Sequence, residues 1–525
     1  MYLDANHIPN GTILNGFDVC IVGAGAAGIA MAARLASTSK RVLVITSGDS
    51  TGRGVPATSD QILYAGQVGS FMSKVDPAFL TRSRLRMYGG TTNHFGYWAR
   101  PLDKADLVPR PGYRDARWPI PLAELDRYYP AANATGHYGP FNYDDIEFWS
   151  EALGGHPFPS LPGDALQNAI FHAQYDSNIN NFQVQFRPVL EPSANVTVVF
   201  NGNVLTIDAI RSTTSHVKAL ACASLDRGRP NTRFAVQAGS YVLAQGGIEV
   251  VRLLQLSGHL GDNSRKQLGS GFMVHPLITS AASVSFSRPV DTLVRNFFRE
   301  QLVTIPCDSA DHGRPRVITG PMFHPEEQQA QCRFTAWGVL APTPHAMDTI
   351  QIGNFRLIFR FQSSSFTPVD VNWEQVPSEN STIRLDLGRP DPIFGQPTVL
   401  LDWNLHEHDK RTVQRALDLC RQYLQARDPG ARFEITTDLS GGPEHWTFTP
   451  GSPNRLQPGD HHMGATRMSE SHDDGIVDPN LRLHTVDNLY IASCSVFPTS
   501  GYANPTLTIV ALATRLADHL NQRAA

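Results

Sequence analysis

The feature that most constrains the fold of this chain is a glycine-rich turn near its N-terminus, between two short apolar segments. Residues 17–22 and 41–46 are rich in β-branched side chains, which is typical of buried parallel strands. Between them, residues 23–28 have the sequence GAGAAG and lead into an alanine- and leucine-rich segment that favours a helix. Strand, turn, helix and strand within the first fifty residues predict a βαβ unit.

The turn fits the GxGxxG pattern of dinucleotide-binding sites, in the strand–turn–helix setting that this pattern requires. Gly23 allows the tight turn, Gly25 lets a pyrophosphate approach the backbone, and Gly28 lets the helix pack closely on the strand. The N-terminus of the helix would present unpaired N–H groups and a partial positive charge to the phosphates. A purely structural glycine turn is the alternative, but the setting favours a dinucleotide site.

The pattern is incomplete at the end of the second strand. The acidic residue that usually binds the ribose hydroxyls is absent, and Thr46 takes its place, followed by Ser47, Gly48 and Asp49. A hydroxyl binds a ribose more weakly than a carboxylate does, so Thr46 is either a ribose contact or an ordinary strand-end residue. The motif by itself does not distinguish FAD from NAD.

Length, charge and composition exclude several classes of protein. A chain of 525 residues exceeds what one hydrophobic core usually serves, so we expect two or more domains. A net charge of -4 gives no basic surplus for nucleic acid. No apolar run approaches the ~20 residues of a membrane span, and the N-terminus lacks a signal-peptide pattern, so we expect a cytoplasmic protein without a membrane partner.

The six cysteines are scattered singly, without CxxC pairs, which predicts free thiols in a reducing compartment. No group of His, Cys or carboxylate residues has the spacing of a metal site, and there is no GxSxG elbow for acyl transfer.

Segments near both ends and in the middle of the chain follow a common pattern in order and spacing. Upstream they are residues 89–94 (GGTTNH), 243–249 (LAQGGIE) and 268–276 (LGSGFMVHP), and the closing block comprises residues 461–468 (HHMGATRM), 475–482 (GIVDPNLR), 487–492 (DNLYIA), 495–499 (SVFPT) and 504–508 (NPTLT). Together these segments resemble the glucose–methanol–choline (GMC) oxidoreductase family. Within the family, the segments most resemble the pyranose 2-oxidase branch, because Asn504 stands where many members have a second histidine. Residues 281–451 hardly match.

The resemblance implies a catalytic base. The catalytic histidine of the family lies three residues before the glycine of the closing block, and counting back from Gly464 gives His461. The neighbouring His462 is the alternative. A histidine suits this role because its unperturbed pKa of about 6.5 leaves it largely neutral at pH 7. Asn504 would be its partner, holding the substrate oxygen through its amide, although a helix cap would also explain this residue.

The resemblance also implies FAD as the cofactor and a set of residues around it. His94 lies at the offset from the Gly-Gly pair where some members carry a covalent bond to the flavin, so the FAD is bound either through His94 or without a covalent link. Gly96 replaces a threonine of the pyranose oxidase pattern. Val204 is expected to contact the adenine through its backbone. The predicted cofactor-binding residues are Gly23, Gly25, Gly28, Thr46, Gly90, Asn93, His94, Val204, Ser493, Asn504, Pro505 and Thr506.

We therefore predict an α/β protein with a Rossmann-like FAD-binding domain of the GMC type and a substrate domain built on a mostly antiparallel sheet and helices. The FAD-binding domain would comprise residues 12–100, 190–280 and 452–525, and the substrate domain residues 101–189 and 281–451.

The predicted activity is FAD-dependent oxidation of a primary or secondary alcohol, such as a sugar, glycoside or polyol. Hydride would pass to flavin N5, and oxygen or another acceptor would reoxidise the flavin. Two alternatives stay open: a redox-silent FAD-containing lyase of the same family, and a nicotinamide-dependent dehydrogenase. A non-enzymatic FAD-bound scaffold is disfavoured because His461 and Asn504 are both present. The sequence leaves the oligomeric state open.

Overall fold

The structure is a computed structural model. It describes residues 1–49, 63–94, 98–110, 112–113, 116–175, 181–212, 214–258, 260, 268–306, 331–361, 366–446 and 455–523. The strands are β1 (Tyr2–Asp4), β2 (Ile13–Val22), β3 (Val42–Ile45), β4 (Gly66–Val68), β5 (Leu166–Gln174), β6 (Val196–Phe200), β7 (Gly202–Ile210), β8 (His216–Asp226), β9 (Arg229–Leu243), β10 (Leu277–Ser285), β11 (Gln301–Pro306), β12 (Gln331–Pro342), β13 (Phe355–Phe359), β14 (Thr367–Trp373), β15 (Thr382–Pro390), β16 (Pro397–Asp402), β17 (Arg432–Ile435), β18 (Arg455–Gln457) and β19 (Leu489–Ile491).

The helices connect these strands and cover the faces of the sheets. They are α1 (Ala26–Leu35), α2 (Ser70–Val75), α3 (Phe79–Arg82), α4 (Lys104–Leu107), α5 (Leu122–Leu125), α6 (Tyr129–Thr135), α7 (Ile146–Ala152), α8 (Phe182–Leu190), α9 (Gly247–Leu256), α10 (Thr292–Phe298), α11 (Pro344–Ile350), α12 (Glu407–Arg427) and α13 (Thr506–Gln522). Short 3-10 turns lie at Ala5–His7, Gly90–Asn93, Pro443–His445 and Cys494–Val496.

The first sheet has the strand order β1-β6-β3-β2-β9-β8-β7, and β19 also pairs with β9. The strands from β1 to β9 along this order run parallel, as does β19, whereas β9-β8-β7 is an antiparallel extension. Helix α1 packs against α13, the last helix of the chain. The predicted βαβ unit is therefore present, with its glycine turn at the carboxyl end of β2, where open α/β sheets bind ligands.

The second sheet is antiparallel, with the order β11-β12-β13-β14-β10-β17, and it is extended by β5 on β12 and β18 on β10. Strand β14 is buried along its whole length, because α12 packs on it. A third, small sheet has the order β15-β16-β4. The predicted fold class is confirmed: a Rossmann-like sheet stands beside a mostly antiparallel one.

One local prediction needs correction. Cys332 is disulfide-bonded, so the free thiol predicted for it is wrong. Cys20, Cys222, Cys420 and Cys494 are free and buried, as expected, whereas Cys307 and Gly96 lie outside the described residues.

Among the described residues, none of the helices combines the length and the apolar character that a membrane crossing requires.

Candidate active site

A cavity of about 460 Å³ joins the glycine turn of the first sheet to the face of the second sheet. One end is lined by the turn after β2, by Thr46 and by Val204. The other end is lined by two histidines, by Asn504 and by side chains of β13 and β14. The cavity therefore connects the predicted dinucleotide site with the predicted catalytic pair.

The three glycines of the turn play different roles. Gly23 has a φ of 104°, and a Cβ placed on it would lie 2.7 Å from the backbone of Ala244. A Cβ on Gly28 would lie 1.9 Å from the carbonyl oxygen of Gly23, so this glycine lets helix and strand pack. A Cβ on Gly25 would meet nothing within 4 Å, although the residue lines the cavity. The open space at Gly25 is where a cofactor phosphate group would fit.

The start of α1 supports the same conclusion. Gly25 is the N-cap residue and offers no side-chain hydrogen bond to the first turn of the helix, and Ala26 and Ala27 line the cavity. Unpaired N–H groups at a helix N-terminus bind phosphate well. The residues of this end thus fit the pyrophosphate of FAD.

The predicted Gly-Gly loop packs on this turn. The N–H of Gly89 donates to the carbonyl of Ala24 at 2.8 Å, and Gly90, at a φ of 54°, lies against the Cα of Gly25. The amide of Asn93 donates to the carbonyls of Tyr88 and Gly90, so Asn93 braces the loop. Gly90 and His94 line the cavity, and His94 is exposed.

The remaining predicted cofactor residues also line the cavity, at different depths. Thr46 is 2% exposed and follows β3, and Val204 lies within β7. Ser493 accepts a hydrogen bond from the N–H of Ser495 at the start of a 3-10 turn. Asn504, Pro505 and Thr506 lead into α13.

The catalytic end is organised by a backbone pairing that joins two distant segments. Met273 and Met463 exchange hydrogen bonds between their N–H and C=O groups, at 2.9 Å and 3.0 Å. In this antiparallel register, His275 lies opposite His461. Their Nδ1 atoms are 2.7 Å apart, which is a hydrogen-bond distance. The structure thus places His275 in contact with the predicted base.

The hydrogen bonds of this pair fix which nitrogen of each ring carries the proton. Nε2 of His275 lies 3.2 Å and 2.9 Å from the carbonyl oxygens of Ser500 and Gly501. Carbonyls only accept, so Nε2 of His275 is the protonated nitrogen and its Nδ1 is an acceptor. The Nδ1 of His461 must then donate to it. The Nε2 of His461 is therefore unprotonated and can accept a hydrogen bond.

Asn504 contacts that nitrogen. Its Nδ2 lies 3.3 Å from Nε2 of His461, and it is the donor because Nε2 carries no hydrogen. Its Oδ1 is buried and has no hydrogen-bond partner. The structure thus brings the two predicted catalytic residues together and leaves a base and an amide facing the same cavity.

Burial determines the charge of these rings. Burial, followed by the positive charge of Arg356 and then by His462, lowers the pKa of His461 to about 3. Burial and the neighbouring His461 also lower the pKa of His275 well below its usual value. Both imidazoles are therefore neutral at physiological pH, as the hydrogen-bond pattern requires.

His462, the alternative base, has a different environment. Its Nε2 lies 2.9 Å from the hydroxyl of Ser83, which itself donates to the carbonyl of Phe79. The ring packs edge-on against Phe79 and stacks on Phe272. The pKa of His462 is lowered to about 3, chiefly by burial. These contacts favour a packing role for His462, although it also borders the cavity.

A buried ion pair holds the backbone segment that contacts His275. Arg110 donates from both Nη atoms to Glu374, at 2.7 Å each. The same carboxylate accepts the N–H of Gly501 at 3.2 Å, and the carbonyl of Gly501 holds His275. Arg110 and Glu374 are therefore positioning residues for the histidine pair. Sequence analysis missed them because they are 264 positions apart.

Charged side chains also gather near the cofactor end. Arg84 donates to Glu249 at 2.9 Å, and Arg86 and Arg252 each lie 3.5 Å from the same carboxylate. These four side chains line the cavity. An excess of arginine over carboxylate here is compatible with a cofactor that carries phosphates. No group of three or more potential metal ligands occurs within the described residues.

Comparison with protein families gives two matches. Residues 377–513 match a family described as GMC oxidoreductase, and residues 21–61 match one described as NAD(P)-binding Rossmann-like domain. The first match covers the closing block with His461 and Asn504, and the second covers the glycine turn.

Relatives of similar length extend these matches along the chain. A 2-methyl-1,2-propanediol dehydrogenase from Mycolicibacterium austroafricanum is 24% identical over 85% of this chain and 82% of its own. A paromamine 6'-oxidase from Streptomyces fradiae is 26% identical over 95% and 90%. A formate oxidase structure from Aspergillus oryzae RIB40, studied for FAD modification, aligns over 98% of this chain and 99% of its own, with a TM-score of 0.56 and 17% identity.

The predictions of an oxidoreductase and of FAD as its cofactor agree with these comparisons. The matches do not single out the pyranose 2-oxidase branch. The closing block is thus similar to the GMC oxidoreductase family, and the chain is similar along most of its length to an alcohol dehydrogenase and an oxidase.

Proposed function

We propose that this protein oxidises an alcohol with FAD, using His461 as the base that takes the hydroxyl proton. The observation that carries the proposal is the unprotonated Nε2 of His461, which accepts a hydrogen bond from the amide of Asn504, a residue that lines the same cavity. An alcohol carbon gives up a hydride readily only once its hydroxyl proton is being removed, so this arrangement fits the first half of the reaction.

Each residue of the site would contribute a distinct step. The backbone at Gly25 and the N-terminus of α1 would hold the pyrophosphate. FAD, when bound, supplies the acceptor for the hydride. The amide of Asn504 would donate to the substrate oxygen and hold it within reach of Nε2 of His461. His275 would keep the Nδ1 proton of His461 in place, so that Nε2 stays the acceptor.

The low pKa of His461 is compatible with this role. It guarantees that the ring enters the reaction neutral. The negative charge that develops on the substrate oxygen would favour the protonated imidazole beside it and so raise its pKa during the proton transfer.

The relatives support an alcohol substrate. One is named for a diol and a dehydrogenase activity, and the other for oxidation at the 6' position of paromamine. A sugar, glycoside or polyol, as in the pyranose 2-oxidase branch, is the substrate class that we propose. We also propose the domain division at residues 12–100, 190–280 and 452–525 against 101–189 and 281–451, and a cytoplasmic location.

The test is anaerobic mixing of the yellow holoenzyme with a panel of alcohols, sugars and glycosides, with flavin absorbance as the readout. We expect at least one compound to bleach the flavin. The redox-silent lyase predicts that no alcohol bleaches it, while a hydroxynitrile is cleaved. The nicotinamide-dependent dehydrogenase predicts a colourless protein that FAD does not reconstitute.

A further inference from the structure

Arg356 is a buried cation at the catalytic end of the cavity. It lies on β13, is 3% exposed, and lines the same cavity as His461 and Asn504. Its Nε and Nη1 atoms are buried without a hydrogen-bond partner. Burying a guanidinium without partners is costly, so its presence requires an explanation.

The other buried arginines show how this chain normally neutralises such a charge. Among the described residues, each of the others has a carboxylate within 4.0 Å, whereas Arg356 has none; these paired residues are Arg84, Arg100, Arg110, Arg252 and Arg515. The missing counter-charge at Arg356 thus departs from the pattern of its own fold.

Two aromatic rings hold the guanidinium in place. Its central carbon lies 4.4 Å from the ring centre of Phe171 and 5.1 Å from that of Trp98. Stacking of this kind fixes the plane of an arginine and leaves its N–H edge available. Burial lowers the pKa of Arg356 to about 9, which leaves it cationic at neutral pH.

A polar neighbour completes the surface. Asn372 lies opposite Arg356 in the register of β13 and β14 and also lines the cavity. Its amide nitrogen donates to the carbonyls of His275 and Pro276, and its Oδ1 is buried without a partner. A cation, a hydrogen-bond acceptor and the base therefore border one cavity.

We propose that Arg356 binds a carboxylate of the substrate, so that the sugar or polyol oxidised here carries an acid group, as a sugar acid or a smaller hydroxy acid does. Asn372 would accept a hydrogen bond from a hydroxyl of the same molecule. The proposal rests on the proposed alcohol oxidation. A single guanidinium matches the single charge of a carboxylate and pairs with it by charge-assisted hydrogen bonds.

The test uses the oxidised holoenzyme, in which the flavin is neutral, with acetate as a carboxylate that cannot be oxidised as an alcohol. Acetate is titrated at constant ionic strength while the flavin absorbance is recorded, and acetamide serves as the neutral control. We expect a saturable spectral change with acetate only. Arg356→Met should weaken acetate binding by about 10-fold or more, the scale of a lost charge-assisted hydrogen bond, and Arg356→Lys should restore most of it.

The proposal is overturned if acetate gives no saturable change, or if Arg356→Met binds it as tightly as the natural chain. Equal loss of binding in Arg356→Lys and Arg356→Met, with lowered melting temperatures in both, would instead indicate a packing role and also overturn it. If Arg356→Met shifts the flavin potential without changing acetate binding, the cation serves the reduced flavin and the proposal fails.

A second measurement separates this inference from the proposed function. Glycolate and ethylene glycol are compared as reductants of the flavin. Arg356→Met should lower the kcat/KM for glycolate, relative to that for ethylene glycol, by about 10-fold. Bleaching by neutral alcohols without acetate binding would leave the oxidation in place and overturn the carboxylate site. Arg356-dependent acetate binding without bleaching by any alcohol would support the anion site and contradict the oxidation.

Discussion

The Nδ1 atoms of His275 and His461 lie 2.7 Å apart, and the carbonyls behind His275 decide which of the two rings donates. This contact predicts that His275→Ala, which removes the acceptor for His461, lowers the rate of flavin reduction by ~10-fold, because His461 is free to flip its ring or its tautomer. His275→Asn, whose amide oxygen can accept the same hydrogen, should recover part of the rate. Stopped-flow reduction of both variants, with melting temperatures alongside, checks this. Equal rates in the two variants would contradict a positioning role.

His461→Ala should reduce the rate of flavin reduction by ~100-fold or more, the usual scale for the loss of a general base, while the flavin absorbance is retained. His462→Ala is the matched control, since it removes an adjacent buried imidazole that contacts Ser83 instead of Asn504. If the His462 variant is the impaired one, the base is one position further along the chain.

The glycine turn predicts opposite results for two alanine substitutions. Gly25→Ala should leave the stability of the apoprotein unchanged, because its Cβ meets open space, but should weaken FAD binding where the pyrophosphate approaches. Gly28→Ala should destabilise the apoprotein, since its Cβ would lie 1.9 Å from a carbonyl oxygen. Melting temperature and FAD titration of each apoprotein measure the two effects. Loss of stability in Gly25→Ala would show that this space is filled.

Buried histidines predict a loss of stability in acid. Burial lowers the pKa of His172 to about 3, against an ordinary value of 6.5. Between these two values the unfolded chain takes up a proton at this residue and the folded chain does not, so the free energy of unfolding falls as the pH drops below 6.5. His172→Phe should therefore lose less stability than the natural chain between pH 7 and pH 5. Its ring is packed between Tyr143 and Trp149, where a phenyl ring fits. Denaturant unfolding at both pH values measures the free energy of unfolding of each protein. If the variant and the natural chain lose the same amount of stability between pH 7 and pH 5, the prediction is wrong.

A covalent bond between His94 and the flavin predicts that acid precipitation leaves the yellow colour in the protein pellet. His94 borders the cavity and follows the Gly-Gly loop. His94→Ala should still bind FAD through the glycine turn but release it on precipitation. A supernatant that carries all the flavin of the natural protein would exclude the bond.

Local patterns predicted the parts of this molecule that depend on neighbouring residues. The βαβ unit followed from the apolar runs around the GxGxxG turn. The resemblance of the closing block to the GMC family singled out His461 and Asn504. The contact between His275 and His461 escaped prediction because it is tertiary: His275 lies 186 positions away and meets His461 through the pairing of Met273 with Met463.

The same limit applies to Arg356. Its sequence neighbours on β13 are ordinary strand residues. Only the folded structure shows that the guanidinium of Arg356 is buried and that, among the described residues, no carboxylate lies within 4.0 Å of it. Sequence could place a histidine and an asparagine in one motif, but it could not show which buried cation lacks a counter-charge.

Residues 500–504 contact both sides of the His275–His461 pair. Their carbonyls anchor His275 behind it, Asn504 faces it from the front, and α13 begins directly afterwards against the first helix of the cofactor fold. Arg356 and Asn372 lie on β13 and β14, but Arg356 lowers the pKa of His461 and Asn372 donates to the carbonyl of His275. Substitutions made there for new substrates would therefore change the proposed proton transfer together with the selectivity, whereas residues 500–504 can be kept constant.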